Sequence, residues 1–248
     1  MTKQDGNTPT EWEKFYLEIY SKLAQSDLSP TEKAGRYLTE DDKDKLVFDD
    51  VLAKLELKAG DSVLDIGCGC GPFVHKLIQY SMFADLELAL LDQDEVLDVF
   101  SNDIDTKRIR LMRGIFPYDF KDELKKYDKI IIYGVLHGVT HQFEFLQRAA
   151  ALLNPGGKLL VGDIPNIDAK RRFLETQSGK EIHRNYLSKQ KDKKSELPES
   201  APNLDDSKIL DFCLQLRKMN LETYLLPQPS LLPFSNSRED LLIVKRKD

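Results

Sequence analysis

The sequence predicts an α/β fold, a mostly parallel sheet with helices on both faces. Three observations carry that prediction. From Ser62 to Asp163, short apolar runs alternate with helical patterns, the arrangement of repeated βα units. The runs are continuously apolar rather than alternating, which suits strands buried on both faces of a parallel sheet. Two late runs, joined by a Pro/Ser/Asn-rich segment, predict an antiparallel hairpin at the sheet edge.

The first helix opens at Thr8-Pro9, with Thr8 as N-cap, Pro9 as first helical residue and Glu11 as the capping-box acid. Trp12, Phe15, Tyr16, Ile19, Tyr20 and Leu23 then share one helical face. A loop with Pro30 and Gly35 follows, and Leu46, Val47, Val51, Leu52 and Leu55 mark a second amphipathic helix. These helices make an N-terminal cap, residues 1–59, ahead of a main domain at 60–248.

VLDI (63–66) is the first strand and runs into glycines, and Phe73 to Tyr80 is a helix. LELALLD (86–92), RIRLMR (108–113) and KIIIYG (129–134) are the next three strands. A helix from Phe143 to Leu153 stops at the turn Asn154-Pro155-Gly156-Gly157, and KLLVGD (158–163) is the fifth strand. Residues 164–203 form a polar insertion, in which KQKDKK (189–194) and ELPESAP (196–202) read as exposed loop. A helix from Asp205 to Met219 returns to the core, ahead of ETYLLPQ (222–228) and EDLLIVKR (239–246).

Composition narrows the function. The 248 residues carry 36 Lys+Arg against 42 Asp+Glu, a net charge of −6. That balance speaks against a nucleic-acid partner, whose phosphates attract excess Lys and Arg. No apolar run approaches the ~18 residues that cross a bilayer, and the N-terminus has no signal-peptide core. Three cysteines, two of them one residue apart, do not make a disulfide framework. The expectation is a cytoplasmic enzyme acting on a small molecule, with no membrane partner.

The segment Val63-Leu64-Asp65-Ile66-Gly67-Cys68-Gly69-Cys70-Gly71 leaves a strand and enters a helix, so its glycines let a ligand approach the backbone at the carboxyl end of the sheet. A dinucleotide fingerprint needs a third glycine where this chain has Pro72. The acid two residues before the first glycine also repels a pyrophosphate, whereas it suits a ligand with an ammonium group. A nicotinamide-dependent oxidoreductase is therefore disfavoured.

This pattern resembles the class I S-adenosylmethionine-dependent methyltransferases. VLDIGCGCG (63–71), LALLDQDE (88–95), YDKIIIYGVLHGV (127–139) and LLNPGGKLLVGD (152–163) carry the likeness, in the family's order. The resemblance implies a seven-stranded sheet with its last strand antiparallel, and S-adenosyl-L-methionine across the carboxyl ends of the first strands. It places Asp65, Gly67, Cys68 and Gly69 at the methionine end of the cofactor. Asp92, with Gln93 beside it, falls where the family holds the ribose hydroxyls, and a carboxylate is a fitting acceptor for a diol. The chain departs from the family after strand three, where Gly114-Ile115-Phe116 replaces an acid. The adenine contact then falls to backbone groups, with Ile115 or Phe116 packing on the ring, or to Asp119 further along.

A hydroxyl or ammonium acceptor must lose a proton, which calls for a base. His137 lies just beyond strand four, where the family faces the acceptor, and Asp163 closes strand five on the same rim. His141 reads as a helix-start residue. Tyr133 is placed to orient cofactor or acceptor, and Tyr16, Tyr20 or Tyr37 to close as a lid. Lys170-Arg171-Arg172, usually a solvated helix face, is in the insertion a candidate grip for an anionic acceptor such as a phosphorylated or carboxylated sugar. Cys68-x-Cys70 lacks a second ligand pair, so no metal is expected. Cys213 reads as core. The alternative function is a non-catalytic scaffold or sensor that binds the cofactor and turns nothing over.

Overall fold

The computed structural model describes residues 8–34, 43–100, 108–120, 125–181, 184, 203–232 and 234–247. Its strands are β1 (Ser62–Ile66), β2 (Glu87–Asp92), β3 (Ile109–Arg113), β4 (Tyr127–Tyr133), β5 (Leu153–Pro165), β6 (Leu221–Pro227) and β7 (Arg238–Lys245). They form one seven-stranded sheet in the order β3-β2-β1-β4-β5-β7-β6. Strands β1 to β5 pair in parallel, and β7 runs antiparallel to both β5 and β6. The expected edge hairpin is therefore present, with its second strand inserted next to β5.

The helices are α1 (Glu11–Ala24), α2 (Pro30–Lys33), α3 (Lys43–Leu55), α4 (Pro72–Phe83), α5 (Asp94–Leu97), α6 (Gln142–Ala151), α7 (Ile167–Glu175) and α8 (Asp206–Lys218). Alternate strand residues feed two cores, because successive side chains point to opposite faces. Leu64, Ile66, Ile130 and Ile132 pack with α6 and α8 through Phe145, Leu146, Ile209 and Phe212. Val63, Leu88, Leu90 and Ile131 pack with α3, α4 and α5 through Val51, Val74, Leu77 and Leu97.

Several boundaries differ from the sequence expectation. The N-cap of α1 is Thr10, whose hydroxyl accepts from the Glu13 N–H while the Glu13 carboxylate accepts from the Thr10 N–H at 2.7 Å. Thr8 and Glu11 have the same spacing, but only the Glu13 frame also brings that acid against the domain. The Pro30 loop contains α2, closed by a second capping box between Ser29 and Glu32. Residues 154–157 do not separate α6 from a later strand. They bulge out of β5, where the pairing jumps from Tyr127↔Leu153 to Lys129↔Lys158. The insertion begins as α7, capped by Asn166, and its 189–194 and 196–202 runs lie outside the described residues.

A second irregularity matters more for the site. Between Val161↔Leu241 and Ile164↔Glu239, two residues of β5 face one of β7, a β-bulge. Asp163 sits in it with φ 58°, a left-handed conformation uncommon outside glycine. Its N–H, lost to the ladder, donates to Asp240 Oδ1 at 2.9 Å. Asp240 is fully buried and takes Lys54 Nζ at 2.7 Å, and Lys54 also reaches Asp50 at 2.5 Å.

Removing one partner of a buried pair strands the other charge. Lys54→Met is expected to destabilise the protein by about 3–5 kcal/mol, read from urea unfolding. An unchanged midpoint would show that Asp240 does not depend on Lys54.

Candidate active site

The strand order reverses between β1 and β4, which leave in opposite directions from the middle of the sheet. A crevice opens there beyond the carboxyl ends of the strands, the usual ligand position in an open α/β sheet. Two connected cavities fill it. The larger, of about 380 Å³, is walled by the glycine loop, Asp65, Asp92, Tyr133, His137 and Asp163 among others. The smaller, of about 80 Å³, lies between Ile115, Phe116, Val139 and Leu91. Tyr16, Gly67, Asp92 and Gln93 line both.

The glycine loop is held from below. Gly67 N–H and Cys68 N–H donate to Leu91 O at 2.8 and 3.3 Å, and Gly69 N–H donates to Asp92 Oδ2 at 2.8 Å. Gly67 has φ 72°, and a Cβ there would stand 2.6 Å from Val135 Cγ2, so only glycine keeps this turn. Asp92 Oδ1 accepts from Gln93 N–H at 2.8 Å. Each Asp92 oxygen thus keeps a lone pair for a diol. Burial pushes the Asp92 carboxyl up to about 6, against the pull of those two N–H groups.

Asp65 leaves a buried acceptor unpaired in the crevice. It is 1% exposed, and its Oδ2 has no hydrogen-bond partner. Burial, and then the Asp92 charge, pushes its carboxyl up to about 8. An orphaned, desolvated carboxylate beside a glycine turn is a cradle for a cation. S-adenosylmethionine, with an ammonium group, a ribose diol and a flat base, fits this donor and acceptor set. Cys68 is buried beside them, and burial followed by the Asp92 charge holds its thiol protonated.

The smaller cavity suits a flat base. Phe116 packs edge-on against Phe145, with centroids 5.2 Å apart. Asp119 takes the Ile115 N–H at 2.7 Å, so it orders the loop that carries Ile115. The sequence offered Asp119 as a stand-in for the missing adenine acid, but it lies outside both cavity walls.

The cap closes the crevice from above. Gln93 Nε2 donates to Leu17 O at 2.8 Å. Glu13, 5% exposed, accepts from Thr140 N–H at 3.0 Å and from the Tyr118 hydroxyl at 2.8 Å. Tyr16 lies against the backbone of Gly138, where any Cβ would strike its ring. Its hydroxyl is 2.5 Å from His137 Nε2 and 3.4 Å from the Tyr20 hydroxyl. Tyr16 and Tyr20 thus line the larger cavity, and Tyr37 lies outside the described residues. Burial, then the Arg238 charge, lowers His137 to about 4. Burial, then Tyr20, raises Tyr16 well above the ordinary tyrosine value. Both are neutral near pH 7.

Tyr133 stacks on Phe73 at 5.7 Å and 15°. The bulge turns Asp163 toward the cavity, 3.8 Å from Arg238 Nη1. His141 is an exposed residue at the start of α6. Arg171 pairs with Asp168 and Arg172 with Asp206, and the Lys170-Arg171-Arg172 cluster is absent from both cavity walls. Its candidate grip on an acceptor therefore has no geometric basis. The larger cavity is lined instead by the cations Arg238 and Lys33, and sequence reasoning missed both, along with Gln228, Phe234 and Glu13. The described residues hold no group of three or more His, Cys, Asp or Glu placed to share a metal ion. No helix among them is long and apolar enough to cross a membrane.

Known proteins give the same answer as the crevice. Residues 39–193 match the family described as "Methyltransferase domain". The chain belongs to the class I S-adenosylmethionine-dependent methyltransferases. It is 27% identical over 162 residues to demethylspheroidene O-methyltransferase of Rhodobacter capsulatus, covering 64% of this chain and 39% of that protein. It is 30% identical over 119 residues to 27-O-demethylrifamycin SV methyltransferase of Amycolatopsis mediterranei, covering 46% of this chain and 43% of that one. A 118-residue stretch is 30% identical to tRNA U34 carboxymethyltransferase of Pseudoalteromonas translucida, 46% of this chain and 35% of the relative. The chain thus spans well under half the length of the curated relatives it matches. In fold it is similar to the plantazolicin methyltransferase BpumL, solved with a triazolic desmethylPZN analog and SAH. The TM-score is 0.59 at 16% identity, covering 96% of this chain and all of that one. The pyocyanin biosynthetic protein PhzM gives a TM-score of 0.57 at 14% identity, with 92% and 61% covered.

The Asp65 assignment makes a pH prediction. In the unfolded chain the carboxyl loses its proton near 3.8, while in the folded protein it keeps it to about 8. Between those values the folded state binds more protons, so raising the pH weakens folding. Wild type is expected to lose stability relative to Asp65→Asn across that window, measured as denaturant midpoints. At pH 7, pairing of the cofactor's ammonium with the Asp65 carboxylate would release a proton, seen by calorimetry in buffers of different ionisation enthalpy. Parallel midpoints and no proton release would mean that Asp65 ionises normally.

Proposed function

We propose that this protein transfers a methyl group from S-adenosyl-L-methionine to an oxygen or nitrogen of a small-molecule acceptor. The observation that carries the proposal is the closed crevice, with its orphaned Asp65 carboxylate, paired lone pairs on Asp92 and a flat apolar slot at Ile115 and Phe116. One curated relative is an O-methyltransferase by name and another is named as the methyltransferase of 27-O-demethylrifamycin SV, which favours oxygen. The net charge of −6 weighs against the tRNA acceptor named for another relative.

When bound, the cofactor supplies an electrophilic methyl group on a sulfonium. The chain's work is to align the acceptor and to manage its proton. Asp65, Gly67, Cys68 and Gly69 hold the methionine end, Asp92 and Gln93 the ribose side, and Ile115 and Phe116 the base. Tyr133, stacked on Phe73, fixes one wall of the acceptor chamber. Asp163 takes the acceptor proton at its carboxylate. His137 acts through the Tyr16 hydroxyl, which its Nε2 holds at 2.5 Å. A histidine lowered to about 4 is a weak base, so it suits an acceptor hydroxyl that is itself acidic.

Calorimetric titration with S-adenosylhomocysteine (SAH), set against NAD, tests the cofactor half. Binding of SAH alone, weakened strongly in Asp92→Ala, is the expected result, and silence with SAH would remove the reading. Turnover separates the enzyme from a non-catalytic scaffold or sensor. His137→Ala and Asp163→Asn are each expected to lower kcat by roughly 10²–10⁴-fold. At saturating S-adenosylmethionine, with Asp65 and Asp92 already engaged by the cofactor, the wild-type kcat/KM profile for the acceptor should pass through 6.5 without a histidine inflection and fall only toward about 4. An inflection near 6.5 would place His137 in a wetter setting than the crevice provides.

A further inference from the structure

The acceptor chamber has a recognition surface that its cofactor groups do not use. Aromatic rings from four parts of the chain wall it, namely Tyr16, Tyr20, Phe73, Tyr133 and Phe234. Flat walls of this kind take a planar guest. The same space must hold the methionine half of the cofactor, so the guest is small.

One cation stands among the rings. Arg238 opens β7 opposite Pro165, which fixes its backbone to the sheet. One of its nitrogens, Nη1, donates to Asp163 O at 3.1 Å and lies 3.8 Å from Asp163 Oδ2. The guanidinium centre lies 5.9 Å from the Phe234 ring centroid. Among the described residues no hydrogen bond engages its Nε or Nη2. Its side chain is 23% exposed, so those donors sit in a half-desolvated setting. A guanidinium held at one corner, with its other donors open, is suited to an oxyanion with two oxygens.

A second polar atom is left over. Gln228 is 7% exposed, and its Nε2 donates to Asp240 Oδ1 at 3.0 Å. That bond fixes the amide orientation, because a flipped amide would set oxygen against carboxylate. Gln228 Oε1 is then buried without a partner, in a residue that lines the chamber. It calls for a hydroxyl or N–H donor.

Among the described residues the other lining cation is Lys33, at the glycine-loop end. Lys33 Nζ donates to Ala24 O at 3.0 Å, and its charge acts on Cys70 of the glycine loop. The charge of Arg238 acts on Tyr16, Tyr20 and His137. The cofactor's own carboxylate thus has a cation near the glycine loop, and Arg238 is left for the acceptor.

We propose that the methyl acceptor is a small hydroxylated aromatic carboxylic acid, its carboxylate on Arg238, its ring between the chamber's aromatic walls and a hydroxyl on Gln228. The assignment rests on the methyl-transfer reading of this site and makes it specific. It also suits His137, a weak base, since a ring hydroxyl gives up its proton more readily than an aliphatic alcohol.

The test uses the full chain saturated with SAH and titrated with the three hydroxybenzoates and the three matching hydroxybenzamides. The amide is close to the acid in shape but lacks the negative charge and one of the two acceptor oxygens that Arg238 would meet. At least one acid is expected to bind roughly tenfold or more tighter than its amide, as a charge-assisted pair implies. That preference should vanish in Arg238→Gln and survive in part in Arg238→Lys, with SAH affinity unchanged in both. Thermal unfolding of the variants checks that they fold, and the lysine variant keeps the test open if glutamine does not. Equal binding of acids and amides, a preference that survives Arg238→Gln, or no binding of any acid would each overturn the proposal. So would a fall in SAH affinity with Arg238→Gln, which would put the cofactor's carboxylate on this residue. Failure of wild type to bind SAH at all would instead sink the methyl-transfer reading beneath it.

Discussion

The geometry of this protein depends on the reversal of strand order between β1 and β4. Two neighbouring parallel strands whose connections depart in opposite directions leave backbone on either side of a gap that no helix fills. Everything chemical lies around that gap. The glycine loop comes from the end of β1, Asp92 from the end of β2, Tyr133 and His137 from the end of β4, and Asp163 from β5. No single one of these segments makes a site, because each contributes one or two groups and only the sheet register brings them together.

The gap is also where unsatisfied polar atoms have been left. Most buried polar groups in folded proteins are hydrogen-bonded. Here Asp65 Oδ2, His137 Nδ1 and Gln228 Oε1 are not, and all three residues line the larger cavity. Leaving such groups dry costs stability, and the cost is offset elsewhere by interiors with none of this frustration. Leu64, Ile130, Ile131 and Leu160 are all fully buried in the middle of the sheet. The Lys54, Asp50 and Asp240 cluster serves both ends, since Asp240 anchors the bulge at Asp163 and the amide of Gln228.

Much of this was legible in the sequence. The strands announced themselves as continuous apolar runs, the glycine loop by its spacing, and Asp92 by its place at a strand end. What stayed hidden came from three physical causes. Short helices such as α2 and α5 carry too few residues to show a period. Two capping frames, Thr8 with Glu11 and Thr10 with Glu13, have the same spacing, and only tertiary contacts to Thr140 and Tyr118 choose between them. Arg238 and Gln228 lie on the far hairpin, some 170 residues after the glycine loop. Only the antiparallel insertion of β7 beside β5 carries them to the rim. The basic run at 170–172 was conspicuous in the sequence, and two of its charges, Arg171 and Arg172, pair with Asp168 and Asp206.

Glu13 gives the cap a property of its own. One carboxylate receives the Thr10 N–H of its own helix, the Thr140 N–H beyond β4 and the Tyr118 hydroxyl beyond β3. The Thr10 bond travels with the helix, whereas the other two share one buried acceptor, so lifting the helix gives them up together. The cap is thus a cooperative latch, with few half-open positions. Opening the crevice from above therefore costs both of those bonds at once.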